Sequence, residues 1–538
     1  TINVLTNVGR VSAIAPGAIT LDNSTAMEID LARTTTDGAI KATAAGTLTA
    51  LSVSAASAGV TAQPVTLTST YGDVVAESVT ATKGDITAVS KNGGIAFTKA
   101  RRNASNISAI AGSISATADA ATAVITVDGR LLAQGTGADV VLASNLGGVA
   151  FTKNAIVTAA DQLKITTPNS TPTVAAGAAI TAARLSLTSQ FGADPAALLT
   201  SLGTYQVVDL NRTDSGPVTF TSPSSLTVEG ATTANGSISL SAPDITVTGP
   251  IASQGTSTDV TLTASAGNLV INSPITSLQD IKLSAAAGEI GGSLTQTAAG
   301  TFSAGSAVIR NLASTATLAV GMRVTGAGIP AAGPGLPAGA CIVSIDSATQ
   351  VTLSAPATAA GTGATLTFTS PTALLTAPRN VSATASSAAR LSAKAAALTG
   401  TTITAGGGFL GVTDVDGLDL TLATLTAGGT AAFNVGSAAV GGATNVGFVD
   451  AGIAGAVVLT SYGNVNSITP DTNADIRAAS ATLLTTAGKI RLDTDVDTLS
   501  AIASQKNQSI TINDVGSLQL LSVGSGSAGI GVDVDVTA

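Results

Sequence analysis

Residues 238–251 read ISLSAPDITVTGPI. Ile238, Leu240, Ile245 and Val247 alternate with Ser and Thr, and Pro243 and Gly249 break the alternation. Side chains two apart in a strand share a face. Ile238 and Leu240 are therefore expected to point inward and Ser239 outward, with Pro and Gly marking turns. The same pattern recurs. VTF at 218–220 is followed by LTV at 226–228, VTL at 260–262 by LVI at 269–271, and IKL begins at 281. First strands thus start at 218, 238, 260 and 281. A step near 20 residues with two or three short strands predicts one coil of a β-solenoid. Each strand then stacks on its equivalent about 4.8 Å away, and the coils together bury an aliphatic column that one coil could not close. The expected fold is all-β, a parallel β-helix of about 20–22 residues per coil.

The pattern extends beyond this block. VTLTSTYGDVV at 65–75 is echoed by VVLTSYGNV at 457–465, and GGIAFTK at 93–99 by GGVAFTK at 147–153. Two segments depart from it. In residues 193–203, Asp194 suits a helix N-cap, Pro195 the first helical position and Gly203 the stop, which predicts a two-turn helix. Residues 307–369 read as a small inserted β domain. Its strands are expected near 307–311, 323–325, 341–345, 350–354 and 364–368, with an exposed Gly/Pro-rich loop at 326–339. The expected organisation is a solenoid over 1–306 with a helical interruption near 194–203, the insert at 307–369, and a solenoid continuation over 370–538.

The segments NGSISLSAPDITVTGPI at 235–251 and TDVTLTASAGNLVINSPI at 258–275 resemble the coils of filamentous-haemagglutinin-type proteins and similar right-handed parallel β-helix adhesins of bacteria. The resemblance covers about half the chain well. It implies a right-handed coil, secretion, and an extracellular or cell-surface location. Two parts of the family pattern are missing, an Asn-Pro-Asn-Gly secretion motif and a C-terminal membrane barrel. A mature product or a piece of a longer polypeptide is therefore expected.

Composition narrows the function classes. Charged residues make up 10% of the 538, against roughly 25% in ordinary soluble domains. Aromatics are 2%, so the core must be built from Val, Ile, Leu and Ala. A net charge of −9 argues against a nucleic-acid partner, and the one dense basic spot is Lys99, Arg101 and Arg102. No apolar run approaches the roughly 18 residues of a membrane-spanning segment. The single cysteine, Cys341, sits between Ala340 and Ile342 and reads as a small buried residue.

His is 0, which removes His-based triads and His-ligated metals. Neither a carboxylate pair nor any other catalytic cluster stands out, so the chain is not expected to be an enzyme and needs no organic cofactor. Hard cations such as Ca²⁺ prefer several oxygens, and carboxylates two apart on a strand project together. Asp414 and Asp416 in DVDG, and Asp493, Asp495 and Asp497 in DTDVD, are the candidate Ca²⁺ ligands; the competing reading is a solvated strand face with Val415 and Val496 inward.

Outward positions are largely Ser, Thr, Ala, Asn and Gly, polar but weakly charged. Isolated soluble proteins usually carry more charge. The expected function is a structural subunit of a bacterial extracellular or cell-surface assembly (a fibre, sheath or surface layer) built by self-association. The alternative is an adhesin contacting a host, neighbouring cells or glycans, and a phage fibre is a further reading.

Overall fold

The computed structural model describes residues 1–59, 61–98, 106–192, 195–203, 205–331, 339–402, 409–414, 420–436, 441–468, 473–505, 508–525 and 534–538. It is a nearly all-β, parallel β-solenoid of about 21 turns. The chain divides into two compact units, Thr1–Gly236 and Ser237–Ala538.

In the first unit a typical coil supplies one five-residue strand and two three-residue strands, as in Val65–Ser69, Val74–Ala76 and Val79–Ala81. Each pairs in parallel with its equivalent in the next coil. Val65 stands beside Ile86, Val74 beside Ile95, and Val79 beside Ile107. The alternation seen in the sequence sets the faces: in Val65–Ser69 and Ile86–Ser90 every first, third and fifth residue is buried. Ile19, Ile40, Val65, Ile86, Ile114 and Val140 thus form one fully buried aliphatic column. Burying each such side chain contributes about 1.5–3 kcal/mol relative to exposure. The repeated GGIAFTK motif is explained by this stack. Ile95 and Val149 lie in one column with Ile125 between them, so the two copies are two coils apart.

Coil length is less regular than the expected 20–22 residues. It is 17 from Ile2 to its partner Ile19 and 28 from Ile86 to Ile114. The turns absorb the difference, and the strand register survives. Buried hydroxyls hold these turns. The last inward position of a strand is often Ser rather than an aliphatic residue. Ser69 Oγ donates to the carbonyls of Gly46 and Gly72 at 2.9 and 2.7 Å, and Ser144 Oγ to that of Ala123 at 2.7 Å. Turn carboxylates join neighbouring coils. Asp73 Oδ1 accepts the Gly94 N–H at 2.7 Å, and Asp85 Oδ1 that of Ser113 at 2.8 Å. The stacked turns approach so closely that a Cβ on Gly72 would lie 2.4 Å from the Thr47 nitrogen.

The interruption near 194–203 is the helix Pro195–Leu202. It packs against the strand Thr173–Val174, the last of its column in this unit. Its own Leu199 and Leu202 are buried, and Tyr205 Oη donates to the Leu202 carbonyl at 2.5 Å. The following strand, Val207–Ser215, carries a buried ion pair. Arg212 is 3% exposed at its side chain. Its Nε and Nη2 donate to Asp214 at 2.9 and 2.7 Å. Nη2 also reaches the Gly192 and Ser215 carbonyls, and Nη1 that of Pro217 at 2.5 Å. The guanidinium lies 5.8 Å from the centre of the Phe191 ring, whose backbone N–H donates to Asp214.

In the second unit Ile238 pairs with Val260, and Val260 with Ile281, the steps expected from sequence. The next partner of Ile281 is Val381. Between them the chain builds a domain of different construction, antiparallel throughout. One sheet is Thr295–Phe302, Gly361–Thr369 and Arg323–Thr325. The other is Val308–Ile309, Gln350–Leu353 and Ile342–Ser347. Phe302, Val324, Ile342, Val351, Leu366 and Phe368 fill its core. Thr295–Phe302 lies ahead of the expected start at 307, so the antiparallel region opens earlier than the sequence suggested. The insert seats Val320, Cys341 and Val343 on Ala388, Phe409 and Ala432 of the solenoid. Cys341 is fully buried there, and burial pushes its thiol up to about 11. Beyond the insert the strands lengthen, to 15 residues in Ala388–Thr402 and 18 in Thr444–Ser461.

Candidate functional site at the root of the insert

Where the insert meets the solenoid, three charged residues from distant parts of the sequence converge. Glu289 precedes the short strand Ile290–Gly291, Arg390 lies on Ala388–Thr402, and Arg323 opens the insert strand Arg323–Thr325. Arg390 stands next to the inward Ala389 and Leu391, so on a bare coil it would face solvent. The insert covers it instead, leaving 3% of its side chain exposed. Its Nη1 donates to Glu289 Oε2 at 2.8 Å. Arg323 Nη1 sits 3.4 Å from each oxygen of the same carboxylate, a long and weak contact, and its side chain is 32% exposed. Arg390 Nε is buried without a hydrogen-bond partner.

These residues border an open cavity of about 270 Å³, completed by Asn268, Gly291, Gly292, Ser293, Thr295 and Thr369. Two guanidinium groups face one carboxylate, so one positive charge is left over. Two of the lining glycines are tightly packed. A Cβ on Gly291 would lie 2.5 Å from Arg390 Nη2, and one on Gly292 would lie 2.2 Å from the Pro371 carbonyl oxygen. A second cavity of about 250 Å³ lies beside the helix in the first unit, between Leu199, Gly203, Phe220 and Pro223. It has no charged lining residue, so it offers far less chemistry.

Among the described residues, the carboxylates singled out from sequence do not form a cluster. Asp416 lies outside the described residues, as does the side chain of Asp414. The expected shared face of Asp493, Asp495 and Asp497 does not form. The strand Ile490–Ala503 turns a corner at Leu492, Asp493 and Thr494, three consecutive buried residues. Asp493 is 7% exposed and accepts from Asn513 Nδ2 at 2.8 Å, whereas Asp495 and Asp497 are exposed. Asp493 belongs with other buried carboxylates that tie backbone corners. Asp475 Oδ2 accepts the Asp493 N–H at 2.8 Å, and Asp514 Oδ1 accepts from Thr494 Oγ1 at 2.7 Å and from the Val496 N–H at 3.1 Å. Among the described residues no group of three or more Asp, Glu or Cys is placed to hold a metal ion. Lys99, Arg101 and Arg102 lie outside the described residues. No described helix is long and apolar enough to cross a membrane.

Sequence reasoning missed Glu289, Arg323 and Arg390. Each is an isolated charge in an otherwise bland segment; the parallel pairing of Ile290 with Ala389 brings Glu289 to Arg390, and the seating of the insert adds Arg323. No family model, curated protein or solved structure matches the chain.

Proposed function

We propose that the chain is a non-catalytic structural subunit of a bacterial extracellular or cell-surface assembly, of the filamentous-haemagglutinin-like kind and built by self-association. The supporting observation is the outward surface of the parallel stack. Thr66 and Thr68 stand beside Thr87 and Val89, and these beside Ser115 and Thr117. Over these rungs the face is regular, uncharged and made of short side chains, with Lys41 and Lys164 as the next charges along the column, and it can meet an identical face closely with little desolvation of charge. Sedimentation velocity over a wide concentration range, with negative-stain microscopy of the same samples, tests this. Ordered filaments or sheets with a fixed repeat are expected. A monomer at every concentration would count against assembly.

The adhesive reading has its own support. The stack carries an insert of separate core without losing the Ile281–Val381 register, an arrangement suited to display. Saturable binding of the full chain to cells or to immobilised glycans, in the absence of self-association, would favour that reading over the first.

A further inference from the structure

We propose that the cavity between Arg323, Arg390 and Glu289 binds a small carboxylate, of the size of one uronic-acid residue. The inference stands whether or not the chain assembles. Four features converge on it. First, the lining carries an uncompensated positive charge, because two guanidinium groups share one carboxylate. Second, the two arginines are unequally committed. Arg390 is held at 2.8 Å by Glu289, whereas Arg323 makes only 3.4 Å contacts and is one-third exposed, so its planar fork can turn to an incoming carboxylate. Third, Arg390 lines the cavity, and its buried Nε has no hydrogen-bond partner. Fourth, the remaining polar lining is neutral, from Asn268, Ser293, Thr295 and Thr369, the amide and hydroxyl chemistry that pairs with sugar hydroxyls.

Size limits the ligand. At about 270 Å³ the cavity lies just below the roughly 300–1,000 Å³ of ordinary small-molecule sites, which admits one ring and not a long chain in cross-section. The carboxylate would lie against Arg323, with Arg390 and its Glu289 partner forming a fixed floor. Gly291 packs directly on that floor, where a Cβ would collide with the Arg390 guanidinium.

The test is calorimetric titration of the full chain with sodium glucuronate, sodium acetate and glucose at constant ionic strength. Glucuronate is expected to bind saturably and glucose not to bind. Acetate separates the sources. Binding as tight as glucuronate would identify a free small carboxylate as the ligand, and weaker binding would identify an acidic sugar. Arg323→Gln removes the charge from a partly exposed position, so the fold survives, which circular dichroism verifies. It should weaken glucuronate by about tenfold or more, while Arg323→Lys should retain part of the affinity. Absence of saturable binding by both carboxylates, or equal affinity in the wild type and Arg323→Gln, would overturn the proposal.

Discussion

Two buried arginines, one in each unit, have opposite surroundings. Arg212 uses every arm of its guanidinium, on Asp214 and on three backbone carbonyls. Arg390 has one carboxylate, a hydrogen bond with the Cys341 thiol, an idle Nε and a cavity at its side. Both are equally removed from solvent, at 3% side-chain exposure. The difference therefore lies in completeness of pairing rather than in depth. A charge whose donors are all met locks the turn it sits in. A charge with donors to spare, beside open space, is available for a ligand. In a fold with so few charges, this distinction separates structural arginines from a candidate site better than burial does.

The comparison breaks most readily at Arg212. Arg212→Met leaves Asp214 and three carbonyls without their donor and should cost about 3–5 kcal/mol, read from chemical denaturation of the full chain. That gap should shrink in acid. Burial alone would raise the Asp214 carboxyl, but the hydrogen bonds from Arg212 and from the Phe191 N–H outweigh it and hold the group below the usual carboxylate range. A carboxylate depressed in the folded state stabilises above its unfolded pKa of about 3.9, and this contribution is lost as pH falls through the folded value. Denaturation midpoints of the wild type and Arg212→Met should therefore converge below pH ~4.

Arg390→Met should cost less, about 1–3 kcal/mol, because Glu289 keeps Arg323 as a partner and an unsatisfied donor is removed at the same time. A cost equal to that of Arg212→Met would show that Arg390 is as fully committed and would erase the contrast. Smaller still is the pair within DTDVD. Asp493→Asn disturbs a buried acceptor and should cost about 1 kcal/mol, whereas Asp497→Asn, on an exposed position, should stay within about 0.5 kcal/mol. Equal effects, or a rise in melting temperature on adding Ca²⁺ that Asp493→Asn abolishes, would restore the shared face that the strand corner removes.

Much of the scaffold was legible because strand alternation and burial have the same period. Val65, Leu67 and Ser69 are inward as the pattern requires, and the steps from Ile238 to Val260 to Ile281 are the observed register. Legibility failed where that period loses contrast. Thr295–Phe302 reads TQTAAGTF, with only Gly300 and Phe302 buried, so small residues hide its alternation. Asp493 was misplaced because three successive residues turn inward at a corner, which a two-residue period cannot express. The candidate site was invisible for another reason. The register of Ile290 on Ala389 brings Glu289 to Arg390, 101 residues away, and Arg323 joins them through the insert's seating on Ala388 and Phe409, contacts no local pattern encodes.

The pairing of Ile281 with Val381 also bears on how the molecule forms. Rungs elsewhere in the stack join residues about 20 apart and can zip one onto the next. At this rung the closing loop is about fivefold longer, an added entropy of about 1.4 kcal/mol if the intervening chain is still unstructured. Prior collapse of the insert around Phe302, Val324 and Phe368 brings its ends together and removes that penalty. Growth of the stack past Ile281 is therefore expected to wait on the insert. A lesion in its core should stall growth of the stack at Ile281 and leave a strand edge unpaired, so damage in a side domain would surface as aggregation of the solenoid.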